Sequence, residues 1–452
     1  MARPQSVFVC RQCGGEALKW QGQCPHCSEW NSLERVMQAR ANADSGGTVT
    51  ATAVEFEATG PLPARWSLSG AELDRVFGGG LVPGSVTLLG GEPGIGKSTL
   101  LLQVAAAVAQ ERSVVYASGE ESTAQIGQRA QRLGLAGGQM ALVHENSLDA
   151  ILALTQQRRA AMLVIDSIQT MQLAAASTTA GSVAQLRECT AALVRHAKTS
   201  GIAAMIIGHV TKDGSIAGPK LLEHLVDTVL YFESDAGSRF RMLRATKNRF
   251  GPVNELGFFA MSAAGLTEVK NPSAIFVARN PHPVPGSLVM VAREGGRPLL
   301  IEVQALVDHA KFGMPRRVAQ GVDVNRLSML LAVMSRHADL ALGEHDVFVN
   351  LVGGIEIAET ATDLPLALAL ASSRRNRALP ASLIAFGELG LTGEVRPVAY
   401  GEERLREAQK QGYGTVILPR GNLPRGTSAG GAAGMELRPV VSIAEAIAAA
   451  FE

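Results

Sequence analysis

One stretch constrains the fold of this chain more than any other. Residues 91–98 read Gly-Glu-Pro-Gly-Ile-Gly-Lys-Ser, the pattern G-x-x-x-x-G-K-S. An apolar run at 86–90 precedes it. Thr99 and a segment with Leu101, Val104, Ala105 and Val108 at helical spacing follow it. A strand, a glycine-rich turn and a helix in that order form a cradle for phosphate. Gly91, Gly94 and Gly96 let backbone N–H groups close around phosphate oxygens, and the helix N-terminus adds partial positive charge. Lys97 is placed to reach the terminal phosphates, and the Ser98 hydroxyl to help hold Mg²⁺, with Thr99 completing the nucleotide-binding set. The expected ligands are ATP and Mg²⁺.

A phosphate loop needs acidic partners. The run 162–166 is apolar until it ends in Asp166, the expected second Mg²⁺ partner. The run 114–117 leads to Glu120-Glu121, one of which can orient or deprotonate the attacking water; Glu120 is favoured and Glu121 is the alternative. With further apolar runs at 203–208 and 228–232, strands alternate with helical patterns from about residue 62 to 269. That alternation predicts a mostly parallel sheet with helices on both faces. Leu186, Cys189 and Leu193 share one helical face, so Cys189 reads as a small core residue.

Cysteine placement defines a second module. Of five cysteines, Cys10-x₂-Cys13 and Cys24-x₂-Cys27 fall near the N-terminus. Two such knuckles can hold Zn²⁺ tetrahedrally with no open position, which makes the site structural. Trp20 and Trp30 are expected to pack around it. A net charge of +1 gives the whole chain no electrostatic case for nucleic acid, so any such surface is a local patch. The sequence shows no secretory signal and no apolar run of membrane-spanning length, which points to the cytoplasm and no membrane partner. The expected boundaries are a metal module at 1–34, a linker at 35–60, an ATPase domain at 61–270 and a second α/β region at 271–452.

The four-cysteine module, the phosphate loop and Lys247-Asn-Arg-Phe-Gly251, in this order, resemble the RadA (Sms) family of bacterial DNA repair proteins over essentially the whole length. The resemblance implies a RecA-like core, a homohexameric ring, binding of single-stranded and branched DNA, and ATP-driven branch migration beside a RecA recombinase. It also implies that ATP sits between subunits and that Lys247 and Arg249 reach the γ-phosphate of a neighbour. Taken alone, those two residues read as a solvated basic turn. His209, at the end of the 203–208 run, is similar to a nucleotide sensor. Residues 211–219 and 170–182 look like DNA-binding loops, with Lys212, Lys220, Lys247 and Arg249 as candidate DNA contacts.

Residues 272–452 resemble the proteolytic domain of Lon-type proteases, most clearly over 387–398. Peptidase chemistry of that type needs a Ser activated by a Lys. Leu366 and Glu402 stand where those groups would fall, with Ser372 and Ser373 close by. The expectation is a retained fold without the catalytic dyad. The basic clusters Arg316-Arg317 and Arg374-Arg375-x-Arg377 are candidate DNA-path residues or solvated charge.

Overall fold

The computed structural model describes residues 6–10, 16–17, 19–37, 64–68, 70–174, 179–209, 219–234, 239–277, 282–310, 313–424 and 434–452. Cys13 and Lys212 lie outside them, as does the side chain of Lys220. The chain divides into two compact units, Met1–Val269 and Lys270–Glu452.

The first described segment is a small antiparallel sheet of β1 (Ser6–Cys10), β2 (Glu16–Ala17) and β3 (Leu33–Met37), in the order β2-β1-β3. Its interior holds Cys10, Cys24, Ala17 and Leu33, with Phe8 against them. Trp20 and Trp30 are 57% and 67% exposed and stand outside this cluster, contrary to the sequence expectation; Trp30 instead lies over Gly22.

The phosphate-loop domain begins with α1 (Ala71–Val76), β4 (Val86–Gly91), α2 (Lys97–Val108), β5 (Val114–Ser118), α3 (Thr123–Arg132), β6 (Met140–His144) and α4 (Leu148–Gln157). It continues through β7 (Met162–Asp166), α5 (Val183–Ser200), β8 (Ala203–Ile207), α6 (Pro219–Leu225), β9 (Thr228–Glu233), β10 (Phe240–Asn248), β11 (Leu256–Ser262) and β12 (Gly265–Glu268). The strand order is β12-β11-β10-β9-β4-β8-β7-β5-β6. Strands β4 to β9 pair in parallel, and β10 to β12 extend the sheet antiparallel. This is the RecA-like arrangement.

Period 2 along each strand divides the core in two. Val114, Tyr116, Val164, Met205 and Leu230 face Leu101, Val104 and Val108 of α2. Val115, Leu163, Ile165 and Ile206 face Ile151 of α4 and Leu186, Cys189 and Leu193 of α5. Burial pushes the Cys189 thiol up to about 12, which suits a packing residue and not a reactive one.

The C-terminal unit contains α7 (Ser273–Phe276), β13 (Ser287–Glu294), β14 (Arg297–His309), β15 (Arg317–Gln320), α8 (Val324–His337), β16 (His345–Leu351) and α9 (Asp363–Arg375). After them come β17 (Leu383–Ala385), β18 (Glu388–Leu389), β19 (Val395–Arg396), α10 (Gly401–Lys410), β20 (Thr415–Pro419), β21 (Glu436–Val440) and α11 (Ile443–Phe451). Seven strands form one sheet in the order β15-β16-β14-β13-β17-β20-β21, and β18 and β19 form a separate pair. Among the described residues no helix is long and apolar enough to cross a membrane.

An ion pair staples this unit. Arg404, in the first turn of α10, is almost fully buried. It donates to both Glu359 carboxylate oxygens at 2.9 and 2.6 Å and to the Val291 carbonyl at 2.6 Å. Removing the anion strands a buried guanidinium. Glu359→Ala is therefore expected to destabilise the C-terminal unit by about 3 kcal/mol. Urea unfolding of wild type and variant checks this. A shift under 1 kcal/mol would show that the pair is dispensable.

Candidate functional site

The phosphate loop joins β4 to α2, with Gly91, Gly94 and Gly96 at φ of 147°, 77° and 117°. These are left-handed conformations that favour glycine. At Gly91 and Gly96 a Cβ would also collide, 2.7 Å from the Phe232 carbonyl and 2.5 Å from the Met261 side chain. Lys97 opens α2 and is almost fully buried. Its Nζ donates to the Gly91 and Glu92 carbonyls at 2.7 and 2.8 Å. Burial draws its ammonium down to about 8, against the opposing pull of Asp166, Glu120 and Glu92.

Asp166 ends β7, on the sheet face that meets α2. Burial raises its pKa, while hydrogen bonds from the Tyr116 and Ser98 hydroxyls favour the carboxylate. The Tyr116 hydroxyl donates to Asp166 Oδ2 at 2.8 Å. A hydroxyl and a carboxylate meeting beside a phosphate loop are hard oxygen donors of the kind Mg²⁺ takes, so Ser98 and Asp166 fit that ion.

Glu120 and Glu121 sit in the turn between β5 and α3. The Ser118 hydroxyl accepts from both of their backbone N–H groups, at 3.2 and 3.0 Å. A capping box of Ser122 and Gln125 then starts α3. The two side chains diverge. Glu121 pairs with Arg129 of α3. Glu120 accepts from the Ser167 hydroxyl and meets His209 Nε2 at 3.1 Å. Those hydrogen bonds, His209 first, hold its carboxyl below the usual range. Glu120 therefore stands with Lys97, Asp166 and His209, and Glu121 is turned toward α3.

Lys247 and Arg249 are engaged elsewhere in their own chain. The register of β10 against β9 shifts between Ala245 and Lys247. Lys247 Nζ caps the C-terminal end of α6, donating to the Glu223, His224 and Val226 carbonyls at 2.7, 3.3 and 2.8 Å. Arg249 lies 3.4 Å from Asp227, a buried carboxylate that also accepts from Lys198 at 2.8 Å. Gly251 packs on Gly78 so closely that a Cβ would lie 2.8 Å from the Gly78 Cα.

Three contacts at the site escape sequence reading. Tyr116 and Ser167 depend on which strands neighbour one another. Arg241 of β10 donates to the Ile95 carbonyl in the phosphate loop at 3.2 Å, from 146 positions away.

In the N-terminal module the sulfurs of Cys10, Cys24 and Cys27 lie within 4.8 Å of one another. Cys10 Sγ and Cys27 Sγ are 3.6 Å apart. Two thiolates at about 2.3 Å on a tetrahedral Zn²⁺ stand about 3.75 Å apart, whereas a disulfide needs about 2.05 Å. The His26 backbone N–H donates to Cys24 Sγ at 3.4 Å. These residues fit zinc.

In the C-terminal unit Leu366 is buried inside α9, and Glu402 is exposed and paired with Arg406. The Ser372 hydroxyl donates to the Arg377 carbonyl and accepts from the Gly286 N–H; Ser373 accepts from the Val307 N–H. Arg316 pairs with Asp346, and Arg375 and Arg377 lie over the Phe451 ring.

Three family models match this chain: an AAA domain over residues 52–215, a rubredoxin metal binding domain over 8–35, and subunit ChlI of Mg-chelatase over 323–422. A DNA repair protein RadA from Haemophilus influenzae is 50% identical over 430 residues, covering 93% of this chain and 94% of that protein. The chain belongs to the RadA family of DNA repair proteins. Further RadA relatives are 48% identical in Pseudomonas aeruginosa, over 100% of both chains, and 49% identical in Escherichia coli, over 93% of this chain and 94% of that protein. A KaiC-like protein from Pyrococcus horikoshii OT3 overlaps with a TM-score of 0.39 at 21% identity, covering 46% of this chain and 100% of that one. RadA membership agrees with the three-part architecture: an N-terminal metal-binding module, a RecA-like ATPase core and a Lon-like C-terminal domain.

Proposed function

We propose that this RadA-family ATPase is a motor that drives branch migration of recombination intermediates. It works as a homohexameric ring on single-stranded and branched DNA, alongside a RecA-type recombinase. ATP is hydrolysed between neighbouring subunits. Lys97 bears on the terminal phosphates, and Ser98 and Asp166 hold the Mg²⁺ that neutralises their charge. Glu120 orients the attacking water and takes its proton. His209 senses the nucleotide. Cys10, Cys13, Cys24 and Cys27 hold a structural Zn²⁺. Residues 211–219, with Lys212 and Lys220, supply DNA contacts.

The observation that carries this reading is the engagement of Lys247 and Arg249 away from their own Glu120 and Asp166. Among the described residues Lys97 is the lysine or arginine whose charge acts on Glu120. Phosphoryl transfer gains greatly from a second cation on the γ-phosphate. A neighbouring copy supplies one if its Arg249, whose side chain is 58% exposed, reaches across, or if its Lys247 leaves the three carbonyls that hold it. The hydrogen bond from His209 to Glu120 supports coupling to DNA, since residue 209 lies two positions before the candidate DNA loop.

The test is ATP hydrolysis with and without single-stranded DNA, for wild type, Lys97→Ala and Lys247→Ala, and for a mixture of the two variants. The expected result is DNA-stimulated activity in the wild type, lost in each variant and partly restored on mixing. A mixture as inactive as its parts would remove the shared site. Wild-type activity indifferent to DNA would favour a nucleotide-switched scaffold over a motor.

The C-terminal domain is read as serving assembly and DNA contact without peptidase chemistry. Support comes from the apolar, buried Leu366 and from the hydroxyls of Ser372 and Ser373, both held by backbone groups.

A further inference from the structure

We infer that Tyr116 is a positioning residue for magnesium-bound nucleotide, fixing the orientation of the Asp166 carboxylate from behind. Tyr116 lies in the middle of β5 with its whole side chain inside the core that packs against α2. On that face of β5, Val114 is apolar and the Ser118 hydroxyl is taken up by the Glu120 and Glu121 N–H groups. A phenol there brings a buried hydroxyl, which needs a partner. Its partner is Asp166 Oδ2 at 2.8 Å, two strand positions along on the neighbouring β7. The register explains the reach: Ser118 pairs with Asp166 and Tyr116 with Val164, so Tyr116 and Asp166 share a sheet face on a diagonal.

The consequence is orientational. A short carboxylate at a strand end can turn about its Cβ–Cγ bond. A hydrogen bond on one oxygen from a ring wedged in the core removes that freedom. The lone pairs that remain are then presented toward Ser98, whose hydroxyl meets the same carboxylate. Mg²⁺ demands near-octahedral geometry with short bonds to oxygen, so a carboxylate free to rotate is a poorer partner than a fixed one. Outer groups that orient a metal's ligands commonly change its affinity by about 10–100-fold when removed. The ring itself packs in the core and would remain in phenylalanine, so the hydroxyl alone can be taken away.

This inference rests on the magnesium role proposed for Asp166, and the experiment separates the two. Fluorescent ADP is bound to full-length wild type, Tyr116→Phe and Asp166→Asn, first without divalent cation and then across a Mg²⁺ titration. For Tyr116→Phe the expected result is unchanged ADP affinity without Mg²⁺ and a half-saturating Mg²⁺ concentration raised about tenfold. A packing defect would instead weaken ADP binding in both conditions, and that outcome overturns the inference. So does a Tyr116→Phe titration that superimposes on wild type while Asp166→Asn is shifted. If Asp166→Asn is not shifted either, the magnesium assignment of Asp166 falls and the role of Tyr116 falls with it.

Discussion

Lys97→Ala is expected to lower ATP turnover by about 10²–10³-fold while leaving the fold in place. The size follows from where the ammonium sits. It is almost fully buried, so its charge acts through little solvent, and charge interactions there are far stronger than at the surface. Three carboxylates act on it: Asp166, Glu120 and Glu92. The two nearest to the chemistry, Asp166 and Glu120, would lose the Lys97 charge in the variant. Phosphate oxygens entering the loop would meet only backbone N–H groups and the helix dipole, each worth a fraction of a full charge. The loop itself should survive. Its turn is set by three glycines at positive φ and by the strand and helix that flank it, neither of which needs the ammonium. Steady-state ATP hydrolysis and a thermal melt on the same preparation check this. Turnover within threefold of wild type would mean that residues 91–98 are not the phosphate site. A melting temperature lowered by more than about 5 °C would mean that the loss came from unfolding.

The contrast between Lys97 and Lys247 shows what a sequence can and cannot carry. A phosphate loop is a local device. Glycine spacing, the lysine and the flanking strand and helix all lie within about twenty positions, so its place in the fold is visible in the string. The five parallel strands read as apolar runs are visible for a related reason. Both of their faces are largely covered, so apolar residues dominate them without a polar alternation. β6 escaped notice because it is half-buried throughout and ends in an exposed His144, giving neither an apolar run nor a clean alternation. Lys247 is harder still. Its partners are three carbonyl oxygens at the end of α6, and carbonyls have no sequence signature. The choice between Glu120 and Glu121 also needed structure. The turn after β5 sends one toward Ser167 and His209 and the other toward Arg129, a divergence that identical side chains cannot announce. Tyr116 looks like one more core aromatic until the register of β5 on β7 sets it beside Asp166.

Stripping the metal from the N-terminal module is expected to unfold residues 6–37 and leave the RecA-like core intact. Among the described residues the module's interior holds two apolar residues besides its cysteines, Ala17 and Leu33, with Phe8 half-buried against them. Fully burying a leucine-sized side chain stabilises by about 1.5–3 kcal/mol, and the cluster has room for few such contributions. A structural zinc contributes on the order of 10 kcal/mol. The metal therefore decides whether the module folds. The sulfur geometry agrees: Cys10 and Cys27 stand 3.6 Å apart and uncrosslinked, close to the separation of two sulfur ligands on one tetrahedral zinc. The core has no such dependence: its two apolar clusters, on either face of the nine-stranded sheet, are held by packed side chains, and their cysteine, Cys189, belongs to no cluster of ligand groups among the described residues. The measurement is zinc release monitored with a chromogenic chelator during titration of the thiols, followed by limited proteolysis. One zinc per chain should leave as Cys10, Cys13, Cys24 and Cys27 react, while Cys189, buried and with its thiol pushed up to about 12, stays unreactive. Protease should then remove the first segment and spare the rest. A chain that resists proteolysis equally before and after zinc release would show that the module folds on its own packing. Loss of the core along with the module would show that the two are one cooperative unit.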